Sequence, residues 1–278
     1  MKFPSVKVKS YLYLVDRASS QKSLDCSYCG AENFSDKDVW VCYNCELANY
    51  GAMRDIWMNN KVLIDQIAQV NKLIGMDDFA GAAAEYEKIL TMLGEPEFLY
   101  SAALIHKRNS NHEISLIRYD RMGFMEENAV HKENAIKESN RAALLLNKAS
   151  AALEEQFKKG IRQPASIFTF FMTNIKLGNL KTAKRGIGML KVSGNLYLSK
   201  YADMVFNAEL LKPVETAVAS IDCLKVNTSV NAVYYLGWAL FKGKRYREAT
   251  DLLTGIRKYV DTGNIDAMLQ NIESAKEV

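Results

Sequence analysis

Four of the chain's five cysteines fall within twenty residues, as Cys26-Ser-Tyr-Cys29 and Cys42-Tyr-Asn-Cys45, with twelve residues between the pairs. A C-x2-C step on a tight turn aims both thiolates at one point, and the turn's free N–H groups face the sulfur charge. Four thiolates gathered in this way suit a tetrahedral Zn²⁺ site at about 2.3 Å per Zn–S bond. The N-terminal stretch has no signal-peptide core. Crowded cysteines in such a chain point to a metal rather than to a disulfide framework. The expected ligands are therefore Cys26, Cys29, Cys42 and Cys45. A closed four-sulfur site leaves no position open for substrate, so structural zinc is favoured over iron. The fifth cysteine, Cys223, shares an apolar helix face with Val218 and Ile221 and reads as a packing residue.

The elements that must position these sulfurs are short. Gly30 supplies a permissive backbone just after the first pair, and Val39-Trp40-Val41 leads into the second as a strand. Residues 24–50 resemble the zinc-ribbon and rubredoxin-like knuckle families. In a ribbon of that kind a second glycine comes after the second pair; here Glu46 stands in its place, which would loosen the turn or set a negative charge beside the metal. The spacing is also similar to the rubredoxin-type module of rubrerythrin-like proteins, which implies iron and a di-iron centre held by Glu-x-x-His motifs. Ala103, Asn109 and Asn128 stand three residues before the chain's three histidines, so that centre has no ligands. Rubredoxin-like electron transfer remains the third-ranked function. Ahead of the knuckles, apolar residues interleave with Lys7, Lys9 and Ser10, and this segment reads as a strand. Residues 1–50 thus form one expected module, a small β zinc ribbon.

Everything after it reads as helix, giving a mainly α chain. Apolar residues recur at helical spacing from Ile56 to Ile74, then from Phe79 to about Leu90. Pro96 opens a further helix, and an Ala/Glu/Lys-rich helix runs from Glu126 to Lys159 before Gly160 and Pro164. Residues 51–160 are read as helical hairpins with one elongated helix and a degenerate repeat around Phe79, Ala82 and Tyr86. Residues 161–278 carry a clearer repeat. Its best copy holds Leu236-Gly237, Tyr246 and Ala249, and it resembles the tetratricopeptide repeat (TPR) family. Alanines at 183, 217 and 249 stand 34 and 32 residues apart, close to that family's period of about 34. A last helix, Asn264–Ala275, would cap the array. The resemblance implies a TPR-like helical superhelix that binds a protein or peptide in its hollow, lined by Asn174, Tyr201, Tyr234 and Trp238.

Composition narrows the functions further. The chain has 278 residues, a formal charge of +4, 49% hydrophobic and 24% charged residues, all ordinary for a globular protein. No apolar run approaches the ~20 residues of a membrane span, so the chain reads as soluble and cytoplasmic. Residues 156–202 hold nine Lys or Arg and no acid, whereas 61–155 sum to −4. Lys181, Lys184, Arg185 and Lys191 line one side of a helix, a face that would meet phosphates or an acidic partner unless it merely solvates the chain. No phosphate loop, zinc-protease motif or nucleophile signature is present, and His112-Glu113 reads as a surface-loop pair. The expected function is a non-enzymatic, zinc-stabilised interaction scaffold for a protein or peptide. The alternative is a nucleic-acid-associated factor using the ribbon and the basic segment. A small-molecule substrate is not expected.

Overall fold

Two C-x2-C turns organise the first elements. In this computed structural model, which describes residues 2–20, 23–35, 37–50, 60–118, 125–259 and 263–276, each turn joins a short antiparallel hairpin. β1 (Ser23–Asp25) pairs with β2 (Glu32–Phe34), and β3 (Val39–Val41) with β4 (Ala48–Tyr50). The registers match after a shift of sixteen residues: Leu24 lies opposite Asn33, and Trp40 opposite Asn49. The ribbon is thus one sixteen-residue unit used twice.

Ahead of it the chain is helical, not extended. α1 spans Val8–Ser19. Val15 and Ala18 are its buried positions, and Tyr11 and Leu12 extend the same half-buried side. The interleaved lysines do not oppose this, because they fall on the outer face of a helix as well as on alternate sides of a strand.

Eleven more helices come after the ribbon among the described residues: α2 (Lys61–Gly75), α3 (Phe79–Met92), α4 (Pro96–Ser115), α5 (Met125–Lys158), α6 (Pro164–Lys176), α7 (Leu180–Val192), α8 (Leu196–Glu209), α9 (Pro213–Val226), α10 (Val230–Lys242), α11 (Tyr246–Ile256) and α12 (Gly263–Lys276). Ile56, the expected start of the first, lies outside the described residues. Local chemistry fixes the starts. Asn60, Asp78, Asn195 and Ser229 cap N-termini with side-chain oxygens, and prolines open α4, α6 and α9. The stops are equally regular. Gly178, Leu211 and Lys244, at steps of 33, take φ of 73°, 52° and 59°. The next N–H then bonds back five residues, from 179 to 174, 212 to 207 and 245 to 240. This is the Schellman turn, which satisfies carbonyls that a helix end leaves open.

Each helix packs on its sequence neighbour, and the even-numbered ones from α4 to α12 also touch in succession, so the hairpins stack with one row of helices inside. Small residues let the hairpins close. Ala183, Ala217 and Ala249 are fully buried. A Cβ on Gly186 would lie 3.0 Å from Phe171 Cβ, and one on Gly237 would lie 2.9 Å from Leu253. Phe168, Phe170 and Phe171 are core, as is Cys223, whose thiol burial pushes up to about 12. α12 packs on α11 and α10, while α1 covers α11 from the other end of the chain. There Leu12 sits over Gly255, and Arg245 bonds Pro4 O at 2.8 Å. Among the described residues no helix is long and apolar enough to cross a membrane.

Candidate metal centre

Turn geometry delivers the four sulfurs. Gly30 N donates to Cys26 O and Glu46 N to Cys42 O, both at 3.0 Å; Cys26 N donates to Ala31 O and Cys42 N to Leu47 O, both at 2.9 Å. Gly30 and Glu46 hold the same left-handed backbone, φ 70° and 56°. Glu46 therefore does not loosen its turn. The sulfurs lie within 4.8 Å of one another, with Cys26 to Cys45 at 3.6 Å and Cys29 to Cys42 at 3.7 Å. These separations are far beyond the ~2.05 Å of a disulfide. They match the edge of about 3.8 Å of a tetrahedron with Zn–S arms of ~2.3 Å. All four cysteines are buried. The donor set therefore fits a thiophilic cation. Among the described residues no other group of three His, Cys, Asp or Glu donors converges in this way.

The electrostatics point the same way. Burial pushes the thiols of Cys26 and Cys45 well up, whereas hydrogen bonds from Cys26, Cys42 and Cys45 pull Cys29 well down. Burial thus opposes charge at two of the sulfurs while a third is drawn toward its thiolate. A divalent cation would remove the conflict by holding the sulfurs as thiolates.

Two asparagines complete the site, and they obey the sixteen-residue repeat. Asn33, from β2, donates to Ala31 O (2.7 Å) and Cys42 Sγ (3.4 Å) and accepts from Tyr43 N (2.9 Å). Asn49, from β4, donates to Leu47 O (3.1 Å) and Cys26 Sγ (3.5 Å) and accepts from Ser27 N (3.0 Å). Each hairpin therefore clamps the opposite knuckle. Asn44 adds a donor to Cys29 Sγ at 3.5 Å. Sequence reading missed these three asparagines. The signal was available, because Asn33 and Asn49 each stand four residues after the second cysteine of their pair.

The ribbon is not a free-standing head. It lies against α2 and α3 and against the inner helices α4, α6 and α10. Tyr86 (α3) donates to Tyr28 O at 2.6 Å, and Asn71 (α2) to Gly30 O at 3.2 Å. Arg108 (α4) donates to Asn44 O at 3.2 Å and to its Oδ1 at 2.5 Å. Asn231 (α10) donates to Cys42 O at 3.4 Å, and Asn227 to Val39 O at 2.9 Å. Lys176 (α6) pairs with Glu46 at 2.7 Å, and Tyr235 (α10) donates to the same carboxylate at 3.1 Å. Burial alone would raise the Glu46 carboxyl, yet the Lys176 charge and these hydrogen bonds bring it below the usual range.

The expected groove residues do not come together as one lining. Asn174 is buried and donates to Ser150 Oγ (3.2 Å) and Phe170 O (2.9 Å). Tyr201 is buried and accepts from Asn231 at 2.7 Å. Tyr234 and Trp238 are half-buried, and Tyr234 faces a cavity beside the second knuckle. On α7, Lys181 and Lys184 are exposed. Arg185 pairs with Glu154 at 2.7 Å and stacks over Phe170, and Lys191 pairs with Asp203 at 3.1 Å. The basic segment is thus partly neutralised within the chain. His112 and Glu113 lie on α4, not in a loop, with Glu113 bonded to His131 at 2.7 Å.

Comparison with known protein families, with curated proteins and with solved structures finds no match to this chain.

Proposed function

We propose that the chain is a non-enzymatic interaction scaffold, a TPR-like helical superhelix whose hollow is held in shape by a zinc-ribbon-like module. The zinc is structural: Cys26, Cys29, Cys42 and Cys45 fill a tetrahedral shell and leave no coordination position for a reactant. One observation carries the reading. The second knuckle bonds to helices far apart in sequence, through Arg108 on α4, Lys176 on α6 and Asn231 and Tyr235 on α10, so one ion braces three helices of the inner row. The recurrence of one Schellman turn every 33 residues supports the TPR-like assignment. Because the ribbon is bonded to α4, α6 and α10, a protein or peptide partner docks on the helical surface outside it. Stacked helices set that surface before binding, which lowers the ordering cost of association.

X-ray absorption at the zinc edge tests the structural role. Four sulfurs near ~2.3 Å with no oxygen or nitrogen are expected; an oxygen in the shell would contradict the structural role. Purification of the full chain from its native host tests the partner. A co-purifying protein that survives high salt supports the scaffold. Nucleic acid lost steeply with salt would favour the alternative instead.

A further inference from the structure

A cavity of about 610 Å³ opens where the second knuckle meets the inner helices. It falls within the ~300–1,000 Å³ typical of small-molecule sites. Three features of its wall select a ligand. The first is charge. Among the described residues, Lys107, Arg108 and Lys176 line it with one acid, Glu46, which is already engaged by Lys176 and Tyr235. Lys107 and Arg108 are left as surplus positive charge. The second is donor geometry. Arg108 gives one terminal nitrogen to Asn44, so the rest of its planar five-donor fork is available to an oxyanion. The third is the aromatic wall. Phe79 and His112 lie ring to ring at 5.5 Å, Tyr234 and Tyr235 at 5.8 Å, and both pairs line the cavity.

We propose that this cavity binds a small organic anion, a planar ring that carries a carboxylate or phosphate. The oxyanion meets Arg108 and Lys107, and the ring packs on the aromatic wall that Phe79, His112, Tyr234 and Tyr235 contribute. The site rests on the scaffold reading in one respect, that the folded second knuckle forms its floor through Tyr43, Asn44 and Glu46.

Isothermal titration of the metal-loaded full chain tests the proposal, with metal content measured on the same sample. The probes are 5′-AMP and 4-hydroxybenzoate, with adenosine and phenol as their uncharged counterparts and an acetylated Asp-Glu-Asp amide as an acidic peptide. At least one ring anion is expected to bind one to one, its uncharged counterpart at least tenfold more weakly. Arg108→Gln is expected to weaken binding at least tenfold. Lys107 is exposed, so Lys107→Gln keeps the fold and is expected to weaken binding several-fold. The proposal is overturned if neither anion binds at millimolar concentration, if the uncharged rings bind equally, if only the peptide binds, or if Lys107→Gln is neutral in a folded chain. A chain that takes up no zinc contradicts the metal reading instead, and the two failures are distinguished by the metal analysis.

Discussion

The two knuckles share a backbone and differ in the residue after the second cysteine. Cys29 is succeeded by Gly30 and Cys45 by Glu46, both in the left-handed conformation. At Gly30 helix α2 presses close: an added Cβ would lie 3.2 Å from Asn71 Cβ and from Ile67 Cγ2. The first knuckle is a packing surface, and glycine is the residue that lets α2 approach. At Glu46 a side chain reaches away to Lys176 and Tyr235. A left-handed non-glycine residue costs roughly 1–2 kcal/mol, which the ion pair and hydrogen bond offset. One duplicated unit thus presents two different faces, closely packed with one amide hydrogen bond toward α2 and ion-paired toward α6.

Removing a ligand from either knuckle should erase the difference by destroying both. Zinc binding to such sites supplies ~10–16 kcal/mol, against a typical net stability of ~5–15 kcal/mol. The sequence alone suggests that Cys26→Ser or Cys42→Ser would unfold the ribbon and spare the helices. With the ribbon bonded to α2, α3, α4, α6 and α10, we expect Cys42→Ser to lower the melting temperature of the helical signal as well. Circular dichroism at 222 nm, followed with temperature, reads this.

Gly30→Ala should be the more damaging of two single changes at the left-handed positions. Backbone strain and the close approach of Asn71 and Ile67 together cost about 2–4 kcal/mol. Urea unfolding measures it; a loss under 1 kcal/mol would mean that α2 gives way freely. Glu46→Gln should cost less, about 1–3 kcal/mol, by leaving Lys176 partly buried without its counter-charge. The pH dependence has a definite sign. The Glu46 carboxyl is held below its ordinary range, so its contribution is present above the unfolded glutamate pKa of ~4.3 and is lost as pH falls through the folded value. Wild type should therefore lose its advantage over Glu46→Gln as pH drops below about 4. An advantage that persists in acid would show that the Lys176 contact does not stabilise the fold.

Asn33→Ala and Asn49→Ala sharpen the comparison from its symmetric side. Each removes the same bonds from opposite hairpins, so each should cost a similar ~1–2 kcal/mol and weaken metal binding by about 10–100-fold. Unequal losses, read by competition with a colorimetric chelator, would show that the sixteen-residue repeat is geometric only.

How much the sequence displays depends on the distance over which its chemistry acts. The cysteines, the helix starts at Phe79 and Pro96, the long α5 and the buried alanines at 183, 217 and 249 are governed by neighbours within a few turns, and all are legible. Asn33 and Asn49 are legible once the ribbon is read as a duplication. α1 is not, because Tyr11, Leu12, Val15 and Ala18 make too short a stripe to separate helix from strand. The docking of the ribbon is invisible for a different reason. The resemblance to the TPR family implies that Asn174 and Tyr201 line a hollow, but it says nothing of the ribbon that docks on α4, α6 and α10. The cavity beside Glu46 exists only because residues more than a hundred positions apart meet there.

The most direct test of the account is to strip the metal from the intact chain with a chelator while following metal content and helical ellipticity together. The account predicts one zinc per chain and a cooperative loss of helix stability in step with its release, reversed when zinc is restored. Helices that melt at the same temperature with and without the ion would contradict it.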